Sequence, residues 1–338
     1  MKRSVQNRFG LWRVGVGAAL VVGMIQLGLA QSEPPTAADK ASPQDLVDAL
    51  HAAFGQHHDR AVHTKGVMAE GTFAPSKEAQ AYTMAPIFAG GELPVVARFS
   101  LFAGVPDIPD TAAAAPPTGL ALKIQARDGS SYDFASDQHN GFIVATSGEF
   151  AQFLRAVGET RPDTPHPTPV ETFLAAHPEA KAFLDSLTSP ASYATATFFG
   201  INSFKWTNAA GKSHFVRYRY VPRAGEHYLT PDQLKAQGAD YLQQELVTRL
   251  AKGPVIFDWY AQIAESGDRI EDPSKTWPES RKLVKLGTFT LNRRPADIAA
   301  ANKAYTVLPG QPHPGIEAAD PMLLLRNRAY PISFGERQ

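Results

Sequence analysis

The sequence has no cysteine. That excludes disulfides, thiolate metal sites and cysteine nucleophiles, so the fold must stand on its core. Neither charge is in excess. The 33 Lys and Arg are balanced by 33 Asp and Glu, which leaves no basic surplus to hold a nucleic-acid backbone. Long apolar runs are nearly absent. Only Val14 to Ala30 stands out, and no second run of about 18 apolar residues follows it, so the rest of the chain is expected to be soluble, with no membrane contact. Internal repeats are absent too.

The apolar run is preceded by Lys2, Arg3, Arg8 and Arg13 and closed by the small-residue stretch Gly28-Leu29-Ala30. That order predicts a secretory signal peptide over 1–30. With no twin-arginine pair, the signal is of the bacterial Sec type, and the expected location is the periplasm or the exterior. The competing reading is an uncleaved anchor, but the run is short and Gly-rich for a span of about 20 residues. Residues 31–43, rich in Pro, Ser and Ala, read as a disordered leader. Residues 44–338 read as a single domain, long enough to bury a large core.

Pro43 to Phe54 carries apolar residues at helical spacing, with Ser42 as N-cap. Between 66 and 150 the pattern changes to short apolar runs separated by Gly, Pro and Asp, which are strand and turn signals. Residues 103–119 form a Pro/Ala loop. Helices are predicted over 150–157 and 169–187, the latter broken by Pro178. Strands return over 193–220 around the turn Asn208 to Lys212. Thr230 to Leu250 reads as one amphipathic helix. Strands follow at 255–264 and 284–291, then helices at 295–306 and 320–330. The predicted class is α+β, antiparallel sheet with helices before, within and after it.

Two clusters bear chemistry. The first is Arg60-Ala-Val-His63-Thr-Lys65-Gly66. A histidine can shuttle a proton between two oxygens at neutral pH, and a nearby guanidinium can pair with a carboxylate. The bland reading, a surface histidine, is favoured when the cluster stands alone. The second is Arg326 and Tyr330, four residues apart and so on one helix face. A tyrosine normally titrates near 10 and ligates metals poorly while protonated. A neighbouring cation favours its phenolate, a ligand suited to ferric iron. Alone, this cluster too is most often an ordinary amphipathic helix.

Taken in order, however, these segments resemble the catalase family, specifically the short catalase-related haem peroxidases. Arg60-Ala-Val-His63-Thr-Lys-Gly66 resembles the distal motif R-x-x-H-A-K-G, continued by Gly71-Thr-Phe73. Pro94 to Ser100 resembles the next strand, and Gly119-Leu-Ala-Leu-Lys123 resembles G-x-A-x-K. Ser274 to Pro278, Leu291-Asn-Arg293, Pro314 to Glu317 with Asp320 to Leu323, and Arg326 to Pro331 complete seven matches in order, spanning about 45 to 335.

The resemblance implies a catalase-like antiparallel eight-stranded β-barrel with flanking helices and haem b buried against it. His63 is then the distal acid–base, Tyr330 the axial iron ligand and Arg326 its stabilising cation. Arg60 and Arg98 would hold the haem propionates, Ser100 would hydrogen-bond His63, and Phe142 and Phe150 would pack on the distal face of the porphyrin. The family's distal amide, at D-x-x-x-N counted from Asp133, falls on Asp137; Asn140 is the nearest amide and the candidate catalytic partner of His63. Asn202 stands where large catalases carry a His near the propionates. Val62, before the distal His, matches peroxide-disproportionating members; fatty-acid hydroperoxide-processing members carry Thr there.

The implied reaction is reduction of hydrogen peroxide or a small organic hydroperoxide through a ferryl intermediate, with a small organic electron donor oxidised and weak catalase activity. The expected state is monomer or homodimer, and haem would be inserted after export. The alternatives are an exported haem carrier or sensor on the same fold, a fatty-acid hydroperoxide-processing enzyme, and a secreted β-rich structural domain.

Overall fold

In the computed structural model, residues 41–338 are described; the predicted signal peptide and all of the leader up to residue 40 lie outside them. The chain opens with helix α1 (Pro43–Phe54). Ser42 and Asp45 cap it reciprocally and Pro43 occupies the first turn, where its missing N–H costs nothing. Strands β1 (Gly66–Pro75), β2 (Leu93–Leu101), β3 (Thr118–Gln125) and β4 (Ser131–Asp137) then form an antiparallel meander.

Helices α2 (Ser147–Glu159), α3 (Pro169–Ala176) and α4 (Pro178–Asp185) follow, the last two divided at Pro178 as expected. Strand β5 (Ser189–Pro190) is two residues long and pairs later with β8 (Tyr228–Leu229). Strands β6 (Phe198–Thr207) and β7 (Ser213–Pro222) make the anticipated hairpin. Its turn is tied by Asn208 Oδ1, which accepts from the N–H groups of Ala210 and Lys212.

The single helix expected over 230–250 is instead two, α5 (Pro231–Lys235) and α6 (Tyr241–Lys252). Gly238 interrupts the pattern, and tertiary contacts claim the linker. Lys65 Nζ donates to the carbonyls of Ile108 and Ala239 and pairs with Asp110 and Asp240, each at 2.7 Å. The lysine of the first sequence cluster is thus a clamp between the strand layer and this linker. Strands β9 (Val255–Ile263) and β10 (Leu283–Arg293), helix α7 (Ile298–Ala304), strand β11 (Ile316–Ala318) and helix α8 (Pro321–Gly335) complete the order.

Eight strands close on themselves in the order β6-β4-β3-β2-β1-β10-β9-β7, because β7 pairs back onto β6; β11 adds outside, on β6. The product is an eight-stranded antiparallel barrel, which leaves no free edge. Its interior is aromatic. Trp259 is fully buried and touches Phe73, Phe88, Phe134, Tyr218 and Phe289, and it stacks on Tyr220.

Residues alternate in and out along each strand. Phe99 and Leu101 fill the barrel, so Arg98 and Ser100 face outward. Directly paired residues share a face. Two outward rows therefore cross the first strands: Arg98, Ala121 and Ala135 in one, and Ser100, Gly119 and Asp137 in the other. Opposite these rows lie α1 and α8. Among the described residues no helix is long and apolar enough to cross a membrane.

Candidate active site

A cavity lies between the two outward rows, α1 and α8. Its sheet wall is made of small side chains, Gly119, Ala121 and Ala135, which leave a flat, open face. The rest of its lining includes Val47 and Leu50 of α1, His63, Tyr305, the α8 residues Arg326, Tyr330 and Ser333, and Arg337.

His63 is the one non-glycine residue with positive φ among the described residues, at 56°. Such a backbone costs about 1–3 kcal/mol and persists only where neighbours hold it. Its N–H donates to the Phe102 carbonyl at 2.9 Å, and its carbonyl accepts from Arg98 Nη1 at 2.7 Å. Arg98 Nη2 reaches the next carbonyl, that of Thr64, and Thr64 Oγ1 donates back to the Arg60 carbonyl. The motif's first arginine and its histidine are thereby locked as one unit.

The imidazole Nδ1 lies 3.1 Å from Ser100 Oγ, and Phe102 meets the ring edge-on at 5.6 Å. Gly119 is required here: a Cβ on it would stand 2.9 Å from His63 Cε1 and 3.3 Å from Ser100 Oγ. Burial, with the charges of Arg326 and Arg98, pushes the His63 pKa down to about 3. At neutral pH the ring is an uncharged base.

Across the cavity, α8 begins at Asp320, whose side chain caps the Met322 N–H, with Pro321 in the first turn. Arg326 and Tyr330 share a face, and both Nε, at 2.9 Å, and Nη2 of Arg326 donate to the phenol oxygen. The Arg326 Nη1 donates to Asn202 Oδ1 at 2.9 Å, and Asn202 Nδ2 donates to Asp320 at 2.7 Å. Burial works against the Arg326 charge, but Tyr330, Asp137 and Asp320 outweigh it and raise its pKa. Asn202 sits in the register shift of β6 between Gly200 and Phe204, a bulge that aims it at α8. It therefore supports the tyrosine's arginine and is not part of the cationic cluster described next.

That cluster is Arg60, Arg98 and Arg337. Arg60 donates to the side chain and carbonyl of Asn302 and to the Tyr305 carbonyl; Arg98 Nε shares Asn302 Oδ1; Arg337 Nη2 takes the Tyr305 carbonyl. Among the described residues their partners are neutral, apart from Asp59 at 3.8 Å from Arg60, and Arg337 Nε has no hydrogen-bond partner. Burial and mutual repulsion push Arg60 down to about 8, and burial takes Arg98 to about 10. Three guanidinium groups facing one cavity with almost no anion among them form a receptor for carboxylates. Two propionates are of that kind, so these residues fit a haem. Arg337 escaped the sequence reading because it lies past the end of α8, in the turn at 336–337, where no helical spacing marks it.

Three of the expected residues lie off this lining. Asp137, not Asn140, lies on the cavity wall, because Asp137 ends β4 paired to Gly119, whereas Asn140 falls three residues later in a bend. Phe142 and Phe150 do not line this cavity. They pack on each other at 4.8 Å, and Phe150 backs Phe102, so they stand behind the ring that contacts His63. Phe142 instead lines a second space of about 820 Å³, a channel whose walls include Phe102, Phe153, Val157 and Val170 and which shares the lining residue Asp137 with the first cavity.

The catalase family profile matches residues 46–337. A protein named catalase-related peroxidase from Synechococcus elongatus is 34% identical over 98% of this chain and 98% of its own length. A second of that name, from Mycolicibacterium paratuberculosis, is 34% identical over 86% of this chain and 93% of its own. The solved structure of catalase A from Saccharomyces cerevisiae superposes with a TM-score of 0.73 over 95% of this chain and 69% of that one, at 22% identity.

Proposed function

This chain belongs to the catalase family and is an oxidoreductase acting on peroxide; on that premise we propose that it is a haem b-dependent peroxidase in which His63 moves the substrate proton and Tyr330 ligates the iron. One observation carries the reading. His63 and the Arg326–Tyr330 pair line one cavity, together with a cluster of buried and half-buried guanidinium groups short of anions.

The bound haem would supply the two-electron redox chemistry, its propionates held by Arg60, Arg98 and Arg337. The chain supplies placement and proton transfer. With Nδ1–H donated to Ser100, the His63 Nε2 is left as the acceptor. It takes the peroxide's proton from one oxygen and returns it to the other, so that water leaves. Arg326 directs two N–H groups at the tyrosine oxygen, while Asn202 and Asp320 hold Arg326 in line.

The apolar channel of about 820 Å³ supports an organic hydroperoxide or an organic donor as a partner, with oxygen release from hydrogen peroxide a slow side reaction. We further propose export to the periplasm or beyond, followed by haem uptake, as residues 1–30 suggest. The test is turnover of the haem-loaded protein with hydrogen peroxide, with and without an organic donor. The expected result is donor-dependent peroxide consumption; oxygen evolution with no donor turnover refutes the peroxidase assignment. N-terminal sequencing of the exported protein tests the signal.

A further inference from the structure

Asp137 is the carboxylate on the lining of the active cavity, among four arginines and His63, and it also lines the apolar channel. The sheet fixes it there. Ser100, Gly119 and Asp137 are Cα partners across three adjacent strands and face the same way. Ser100 holds His63, Gly119 makes room for it, and Asp137 is the next position in the row.

Among the described residues its carboxyl has no hydrogen-bond partner. Burial raises its pKa to about 6, against a partial offset from Arg326 across the cavity. The other titratable or charged groups around it are His63, Tyr305 and Tyr330 in the cavity and, along the channel, Lys181, Asp185, His166 and Glu171. Arg219, which lies over the ring of Phe199, flanks it on the far side through the pairing of Asp137 with Phe199. The channel groups pair among themselves, Lys181 with Asp185 and His166 with Glu171.

We infer that Asp137 is a second catalytic residue of the distal wall, a carboxyl that donates a hydrogen bond to the incoming peroxide when protonated and withdraws it when ionised. An amide at this position would donate at every pH; a carboxyl donates only while it keeps its proton. His63 is an uncharged base through the whole neutral range, so the proton on Asp137 sets the acid-to-neutral pH profile. A neutral hydroperoxide is favoured over a carboxylate-bearing one next to the reacting oxygen, since an ionised Asp137 repels the latter.

The inference rests on the peroxidase reading above, and the experiment separates the two. Peroxide turnover of the haem-loaded wild type, Asp137→Asn and Asp137→Leu is followed from pH 5 to pH 8, with His63→Ala as the control for the reading itself. Wild-type turnover is expected to fall about tenfold as pH rises through 6, the worth of one hydrogen bond to the reacting oxygen. Asp137→Asn should be flat and about tenfold faster than wild type at pH 8. Asp137→Leu should be flat and slow throughout. Independently of turnover, difference infrared spectra should show a protonated-carboxyl band in wild type at pH 5 that is lost by pH 8 and is missing from Asp137→Asn. Superimposable pH profiles of wild type and Asp137→Asn, with His63→Ala inactive, overturn this inference alone. A carboxyl already ionised at pH 5 overturns it as well.

Discussion

Replacing Gly119 by Ala exchanges a hydrogen for a methyl group at a crowded point of the distal wall. The new Cβ would lie 2.9 Å from His63 Cε1, 3.1 Å from Nδ1 and 3.3 Å from Ser100 Oγ. Ordinary carbon contacts sit at about 3.5–4.0 Å, so the ring must retreat by roughly half an ångström or more. Its backbone cannot follow, because the Phe102 carbonyl holds its N–H and Arg98 holds its carbonyl. The ring must therefore rotate, and the 3.1 Å bond to Ser100 stretches out of hydrogen-bonding range. Loss of that bond costs about 1 kcal/mol, and misplacing a proton-transfer group by up to 1 Å costs as much as about a hundredfold in rate. We expect kcat for peroxide to drop 10- to 100-fold, equivalent to about 1.4–2.7 kcal/mol of barrier. The Soret band and the melting temperature should hardly move, since the residue has no positive φ and faces away from the barrel core. Stopped-flow peroxide consumption, with haem content normalised from the spectrum, measures it. Full turnover in a folded, haem-loaded Gly119→Ala protein would refute the claim that the glycine exists to seat His63.

His63→Ala should keep haem and lose about 10²–10⁴-fold in peroxide turnover, read in the same assay; an unchanged rate rules out the mechanism. Arg337→Leu removes one carboxylate partner and should weaken haem affinity about 10- to 100-fold in a titration of the apoprotein, leaving kcat of the loaded enzyme nearly intact. Asp137→Asn should stabilise the protein at pH 8 but not at pH 4. The sign follows from the raised pKa: the cost of ionising a buried carboxyl is fully present above about 6 and gone below its unfolded value near 3.8. Trp259→Ala, in the filled barrel, should cost about 3–5 kcal/mol in a urea titration.

The local parts of the fold could be read from the chain because their causes are local. Ser42, Pro43 and Asp45 mark a helix start in sequence, and Asn208 to Gly211 marks a hairpin turn. The Arg326–Tyr330 contact follows from helical spacing alone, and the structure places the two in contact. What the chain hid depended on long-range pairing. Whether Asp137 or Asn140 reached the cavity was decided by where β4 stops against β3, a register no spacing rule supplies. The helix predicted across 230–250 broke because Lys65, some 170 residues earlier, takes the Ala239 carbonyl. Phe142 and Phe150 were placed by resemblance, yet the side chain that meets His63 is Phe102, in the loop after β2.

The outward row on the barrel also works as a ruler. Neighbouring strands are spaced by their hydrogen bonds at about 4.8 Å, so Ser100 and Asp137, two strands apart, stand roughly 10 Å from one another. A sheet closed into a barrel cannot stretch or slide to alter that step. The distal groups can therefore change in chemistry, from serine or carboxyl to something else, but scarcely in separation. Variation at this site is confined to which side chain occupies each graduation, while the spacing between them is inherited from the backbone.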